Sequence, residues 1–264
     1  MNRRSLLVAL TSILVLMGIM YVWRGSRLPQ ESNNPLIIGM MSGWAPFMSI
    51  NGSGQYEGFD VDVANELGRR MNRPVIIQDL GSLSSCFIAL DQGRIDAVMS
   101  GLDITQKRRE TMNMVWYTGD NVDQFSLLFW NVIPDGVKTM NDMENIPGAI
   151  ICVESGSAQE KFLDTYEGVL KKRLPSVTDI VLDLRFGKSL AAVLEPRVAA
   201  RLMRQNPEIK KIAVSLPENV QVFGCGIAIK KDNIRLTDDI VQSINGMNRD
   251  GTLKKLETQW KMEE

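Results

Sequence analysis

Gly93-Arg94-Ile95-Asp96-Ala97-Val98-Met99-Ser100-Gly101-Leu102-Asp103-Ile104-Thr105-Gln106-Lys107-Arg108 is a strand feeding a polar loop that ends on an arginine. Ile95 to Met99 reads as a strand buried on both faces, the kind found in a parallel sheet covered by helices. Just upstream, Leu83, Cys86, Phe87 and Leu90 recur at i, i+3, i+4 and i+7 and predict a helix. Before it, Pro74 restarts the chain as a strand through Val75, Ile76 and Ile77. An earlier helix places Val63, Ala64, Leu67 and Met71 on one face, and Leu36 to Met40 is a first short strand. The succession is β-α-β-α-β around a parallel sheet. Asp60 and Asp62 flank the start of the first helix and read as capping and dipole partners. Arg108 has two readings: a guanidinium fork past a polar loop can hold a carboxylate bidentately, or it belongs to a solvated run with Lys107 and Arg109.

From Gln124 to Asn131 another apolar strand begins, and the pattern restarts. Ala149 to Val153 is read as a strand, Phe162, Leu163, Tyr166, Val169 and Leu170 as a helix face, Ile180 to Leu184 as a strand, and Leu190 opens the next element. Gly93-Arg94-x-x-Ala97-Val98-Met99 is echoed by Gly187-Lys188-x-x-Ala191-Ala192-Val193, which supports two similar lobes. After Gly224-Cys225-Gly226 come a strand, Ile227 to Lys230, and two helices. The first carries Leu236, Ile240, Ile244 and Met247 with Thr237 as N-cap, and the second carries Leu253, Leu256 and Trp260.

At the N-terminus, Asn2-Arg3-Arg4 precedes an uncharged apolar run from Ser5 to Trp23, which as a helix is roughly as long as a bilayer is thick. It reads as an export segment, retained as an anchor more readily than cleaved, because no small-x-small site precedes Arg24 and no cysteine lies near it. The arginines keep the N-terminus inside and put the rest of the chain outside. Gly25 to Pro35 is a polar tether. Residues 1–34 hold four of the 30 basic and one of the 31 acidic residues, so the remainder has an excess of four acids. That balance offers nothing to nucleic acid. The chain has no histidine, which excludes Ser-His and Cys-His nucleophilic pairs and histidine-ligated metals. Cys86, Cys152 and Cys225 are an odd, widely spaced set, better read as buried thiols than as a disulfide framework or zinc site, although one pair within reach remains open. No cofactor or metal is expected.

From Leu36 to Trp260 the chain resembles the extracytoplasmic solute-binding proteins for polar amino acids that serve ABC transporters, and within them the arginine-binding branch most. The matching segments are Trp44-Ala45-Pro46-Phe47, Gly58-Phe59-Asp60-Val61-Asp62, Gly93 to Val98, Asp103 to Arg108, Gly156-Ser157-Ala158-Gln159, Leu194-Glu195-Pro196, Gly224 to Ala228 and Asp250-Gly251-Thr252. The resemblance implies an α/β, two-lobed periplasmic-binding-protein fold of type II, each lobe a mixed, mostly parallel sheet flanked by helices. Residues 1–34 would be the signal or anchor with its tether, 35–122 plus 223–264 the first lobe, and 123–222 the second. Hinge crossovers would lie near Val122 to Gln124 and Gln221 to Phe223. It further implies a monomeric receptor that delivers a free amino acid (arginine, lysine or ornithine) to a membrane permease by lobe closure. Two alternatives stay open: a sensor subunit for a membrane signalling partner, and a cyclohexadienyl-type dehydratase.

Residue by residue, the resemblance places Arg108 as the carboxylate clamp, completed by Ser100 and by Asp103 and Thr105 with Ile104 between them. Glu195 stands where the α-ammonium is received, with Pro196 pinning it at a helix cap. Trp44 is the aromatic wall, and Gly156, Ser157 and Ala158 are the second lobe's contribution near a helix N-terminus. The chain departs from the pattern at Met41 and Ser42, where members taking basic amino acids often carry an acid or amide, and at Ala158, often Thr. Glu154 falls in a position that is often apolar and faces the ligand side chain, and is expected to pair a guanidinium or ammonium in place of the missing acid.

Overall fold

The computed structural model describes residues 34–217, 220 and 222–262. The apolar run from Ser5 to Trp23, the tether up to Asn33 and Gln221 lie outside them. In chain order come β1 (Leu36–Met40), a small hairpin of β2 (Ser49–Ile50) and β3 (Tyr56–Glu57), α1 (Phe59–Met71), β4 (Val75–Asp79), α2 (Leu83–Asp91), β5 (Ala97–Val98), β6 (Asp103–Thr105), α3 (Gln106–Thr111) and the long β7 (Met112–Val122). Next are β8 (Gln124–Trp130), α4 (Met140–Glu144), β9 (Ile150–Glu154), α5 (Ala158–Leu163), β10 (Leu170–Leu174), α6 (Val177–Arg185), β11 (Ala191–Leu194), α7 (Pro196–Gln205) and β12 (Ile209–Ser215). β13 (Val222–Lys230), α8 (Ile234–Arg249) and α9 (Thr252–Trp260) complete the order.

Two sheets have the same plan. The first runs β4-β1-β5-β13-β6, with β7 also on β13, and the second runs β10-β9-β11-β8-β12. In each, three strands are parallel (β4, β1, β5; β10, β9, β11), and the third is flanked by an antiparallel strand, β13 or β8. Gly93 and Gly187, the two ends of the sequence echo, occupy matching places: each follows the helix before the third strand and has a positive φ, 69° and 64°. The chain passes from the first sheet to the second between β7 and β8, at Asp123, and returns before β13. The two passages touch, since Val222 pairs with Val122 and Leu216 N–H donates to Asp123 O at 2.8 Å. Pro35–Glu264 forms one compact unit. One apolar cluster fills the first sheet and continues onto Cys152 and Ala192 of the second and Ile180 of α6, and another, around Phe125, Phe162 and Val193, fills the far side of the second sheet.

Three local expectations are corrected. Ile180 to Leu184 is helical: Ser176 Oγ caps α6 by accepting from Asp179 N–H, and Val177, Ile180 and Leu184 turn inward at helical spacing. Tertiary packing of that face outweighs the strand preference of the β-branched pair Ile180-Val181. Leu170 begins the edge strand β10, whose Lys171-Lys172-Arg173 hid its pattern; basic residues on an edge also discourage pairing with another chain. Tyr166 lies beyond α5 yet packs its ring 5.3 Å from that of Phe162. Thr237 is inside α8, and the cap is Asn233, which accepts from Leu236 N–H.

Gly58 lets α1 start beside the loop that precedes it. Its φ is 137°, and a Cβ there would lie 2.1 Å from Phe47 O. Gly58→Ala is therefore expected to destabilise the protein by about 2 kcal/mol or more, read as a lower denaturant midpoint with an unchanged slope.

Candidate functional site

The parallel strands of both sheets deliver their C-terminal ends to one crevice. Trp44 follows β1, Ser100 follows β5, Glu154 closes β9 and Glu195 follows β11. That is where open α/β sheets bind ligands, because the chain leaves the sheet there and side chains from several strands converge.

Arg108 sits in the first turn of α3, which Thr105 caps by accepting the Arg108 N–H on Oγ1 at 3.3 Å. Its guanidinium is buried, lies 5.3 Å over the Phe87 ring, and donates from Nη1 to Asp103 O at 2.6 Å and from Nη2 to Gly156 O at 3.0 Å. Burial pulls its pKa below the ordinary value, against the charges of Asp103 and Glu154; a guanidinium nevertheless stays charged. The solvated-run reading of Arg108 is thereby excluded. Two more bonds join elements of the two sheets. Trp44 Nε1 donates to Glu154 Oε1 at 3.0 Å, and Gln159 Nε2 donates to Asp103 Oδ2 at 3.0 Å.

Two buried carboxyl groups, Asp103 and Glu154, share this crevice with Arg108; a third, Glu195, is buried near Asp103 and Arg197 but is not among the residues lining its cavity. Burial raises the pKa of Asp103, opposed by Arg108. Glu154 is pushed up to about 8 by burial, opposed by Trp44 and Arg108, and its Oε2 is buried with no hydrogen-bond partner among the described residues. Glu195 is pushed up to about 7 by burial, opposed by Arg197. Its Oε2 caps α7 by accepting from Arg197 N–H at 2.7 Å and Val198 N–H at 3.0 Å, with Pro196 in the first helical position. A small cavity of about 10 Å³ is lined by Trp44, Ser100, Asp103, Arg108, Glu154, Ser157 and Ala158 among others, room for about one water, while Thr105 and Gly156 line an adjoining groove beside Phe87.

The two serines are already engaged. Ser100 Oγ accepts from Met41 N–H at 2.8 Å, and Ser157 Oγ caps α5 by accepting from Glu160 N–H at 3.0 Å while donating to Glu154 O at 2.7 Å. Gly156, at φ 82°, donates its N–H to Glu160 Oε2 at 2.7 Å. No cluster of metal-ligating side chains occurs among the described residues, and all three thiols are buried and free.

Asp60 is not a cap. α1 is capped by Gly58 without a side-chain bond, and Asp60, fully buried, accepts Gly101 N–H on Oδ2 at 2.8 Å and the Tyr117 hydroxyl on Oδ1 at 2.6 Å. It is a strut for the loop that carries Ser100 and Asp103. Gly101 has φ 57°, and a Cβ there would lie 2.6 Å from the Phe47 ring. The signal was present in the sequence: Asp60 lies one turn before Ala64 and two before Leu67, on the buried face of α1, where an acid needs partners. Tyr117 and Gln159, the partners from distant elements, had no such signal. Asp62 accepts instead from Trp260 Nε1 at 2.7 Å and Gln259 Nε2 at 3.0 Å.

With this fold and crevice in view, comparison with known proteins identifies the class. Residues 36–263 match the family of bacterial extracellular solute-binding proteins, family 3, and the chain belongs to it. It is similar to the probable ABC transporter arginine-binding protein ArtJ of Chlamydia trachomatis, at 26% identity over 230 residues and 87% of each chain. It is also similar to the ABC transporter arginine-binding protein 1 of Escherichia coli, at 26% identity over 84% of this chain and 88% of that one. Among solved structures, the arginine-binding protein of T. maritima, in its P235GK mutant, superposes with a TM-score of 0.76 at 25% identity, covering 85% of this chain and 94% of that one. The fold is that of type II periplasmic binding proteins.

Asp60, Glu154 and Glu195 together set a pH dependence. Their folded-state values near 7 to 8 exceed those of an unfolded chain, so between about pH 4 and 8 the folded protein holds more protons and its stability falls as pH rises. Acids with lowered values, such as Glu66 and Asp183, act oppositely and lose their contribution only as pH falls below about 4. Thermal unfolding without ligand should give a higher Tm at pH 5 than at pH 8; a Tm rising steadily across that interval would contradict the burial of these acids.

Proposed function

We propose that this chain is an extracytoplasmic receptor for a free basic amino acid, arginine before lysine or ornithine, which it delivers to an ABC-transporter permease. The observation that carries the reading is the charge pattern of the crevice: the buried Arg108 guanidinium lies beside the buried carboxyls of Asp103 and Glu154, and the buried Glu195 carboxyl lies near Asp103 and the Arg197 guanidinium. Such a crevice suits a molecule with one anionic and two cationic groups, because each buried charge must meet a fixed partner to offset its desolvation. The similar proteins named above are arginine-binding by name, which supports the same ligand class here.

In this reading Arg108 clamps the α-carboxylate with the N–H groups not spent on Asp103 O and Gly156 O. Ser100, Asp103 and Thr105 shape the loop around it, and Gly156, Ser157 and Ala158 close it from the other side at the start of α5. Glu195 receives the α-ammonium on the carboxyl oxygen opposite its cap, and Trp44 walls the side chain, where a cation gains roughly 0.5 to 2 kcal/mol. Residues 35–122 with 223–264 form one lobe and 123–222 the other, with the adjacent passages at Asp123 and before β13 as hinges. The Trp44–Glu154, Arg108–Gly156 and Gln159–Asp103 bonds then latch the lobes, and a ligand bridging both adds contacts that favour the closed form. Closure gives a permease a surface that reports occupancy. An anchor at residues 5–23, outside the described residues, would keep the monomer near that permease. The named relatives are binding proteins, which favours binding over a dehydratase activity, and a sensor role would use the same closure.

A thermal-shift panel of the twenty amino acids with ornithine and citrulline tests the reading. A ligand at a hundred times its Kd adds about 2.7 kcal/mol of stability, and arginine is expected to give the largest shift. Stabilisation by no amino acid would refute it. Arg108→Ala should weaken whichever amino acid binds by about 2 to 5 kcal/mol in calorimetry, since it strands the α-carboxylate.

A further inference from the structure

Asp60 has both carboxyl oxygens occupied by donors from the protein, and Glu195 spends Oε2 on two backbone N–H groups. Glu154 is different. It is 1% exposed, lines the cavity with Trp44, Asp103 and Arg108, and has Oε1 held by Trp44 Nε1, so its orientation is set. Its other oxygen is buried without a hydrogen-bond partner among the described residues. In either protonation state Oε2 is incomplete: a carboxylate oxygen there wants a donor and an O–H wants an acceptor. A buried polar atom left this way calls for an explanation outside the fold's own bonding.

We propose that Glu154 is the specificity-determining acid of the crevice: with Oε1 held by Trp44, Oε2 accepts an N–H of the cationic end of a basic amino acid's side chain. This rests on the receptor reading above and adds how that receptor tells a cationic side chain from a neutral one of the same shape. A neutral side chain leaves the carboxyl protonated and forms no ion pair with it, whereas a guanidinium or ammonium pairs with the carboxylate. The discrimination resides on β9 of the second sheet, opposite the loop from Met41 to Trp44.

The groups facing Glu154 determine how its proton behaves. Arg108 on α3 favours the carboxylate, and Asp103 on β6 disfavours it. The Cys86 thiol on α2, itself pushed up to about 12, and the Trp44 indole are neutral. Burial outweighs Arg108 and holds the carboxyl at about 8, so near neutrality it carries a proton. When the ligand's cation arrives, the carboxyl O–H bond breaks, its electron pair stays on oxygen, the proton passes to solvent, and the cation's N–H takes its place. Arginine binding therefore releases up to one proton more than binding of citrulline, which has the same α-groups and a neutral side-chain end.

The test is calorimetry on the full-length chain, purified in mild detergent, with arginine and citrulline at pH 7 in two buffers of different ionisation enthalpy. Arginine should bind at least tenfold tighter than citrulline and release the additional proton. In Glu154→Gln the affinity ratio should narrow at least tenfold and the additional proton should vanish. An unchanged ratio and unchanged release in a folded Glu154→Gln would overturn the inference and leave the receptor reading standing. Should that variant fail to melt cooperatively, the unmodified protein decides. Its arginine-to-citrulline affinity ratio should fall by up to about tenfold per pH unit from pH 8 to 6, and a pH-independent ratio overturns the role of Glu154. Preference for neutral over basic amino acids also overturns it, and binding of no amino acid removes the receptor reading with it.

Discussion

Charge taken out of water is the constraint around which the crevice is built. Arg108, Asp103, Glu154 and Glu195 are all buried, and an ion in that position is tolerated only when fixed dipoles or opposite charges replace its hydration. The chain supplies those replacements from both sheets. Arg108 gives one N–H to a carbonyl of its own loop and another to Gly156 O, Gln159 reaches Asp103, and Trp44 reaches Glu154. The same bonds that satisfy the site also join the two sheets, so the electrostatics of the crevice and the relative placement of its walls are one problem.

The scaffold meets this constraint with regular parts. Parallel strands end together, so β1, β5, β9 and β11 each end close to one residue of the proposed site. Helix starts add directed N–H groups: Thr105, Ser157 and Glu195 cap α3, α5 and α7 within a few residues of the crevice. Beneath it, the Asp60 carboxyl ties the Gly101 backbone to Tyr117 of β7, which holds the loop between Met99 and Asp103 from behind. Caps and strut together leave few residues around Arg108 free to reorient, and preorganisation of that kind reduces what binding must spend on ordering.

Much of the fold was legible along the chain. The first β-α-β-α-β unit follows from local periodicity, and the repeated Gly93 and Gly187 segments do fall at matching points of two sheets with one plan. Reading failed where local preference and tertiary context disagree. Ile180-Val181 has strand character yet is helical, because its inward face at three- and four-residue spacing packs on the core. Leu170 to Leu174 is a strand whose basic residues conceal it.

The sequence by itself determined the α/β class, the order of most elements and the segments that carry Arg108, Glu154, Glu195 and Trp44, because apolar periodicity, caps and turn residues act over a few positions and are written locally. Only the tertiary structure decided which charges meet. Asp60 with Tyr117, Trp44 with Glu154 and Gln159 with Asp103 are 57, 110 and 56 positions apart. Whether an acid is a solvated cap, a strut or an incompletely paired group depends on burial and on partners brought in from distant strands. Desolvation is a property of the assembled volume around a side chain, so no local spacing encodes it.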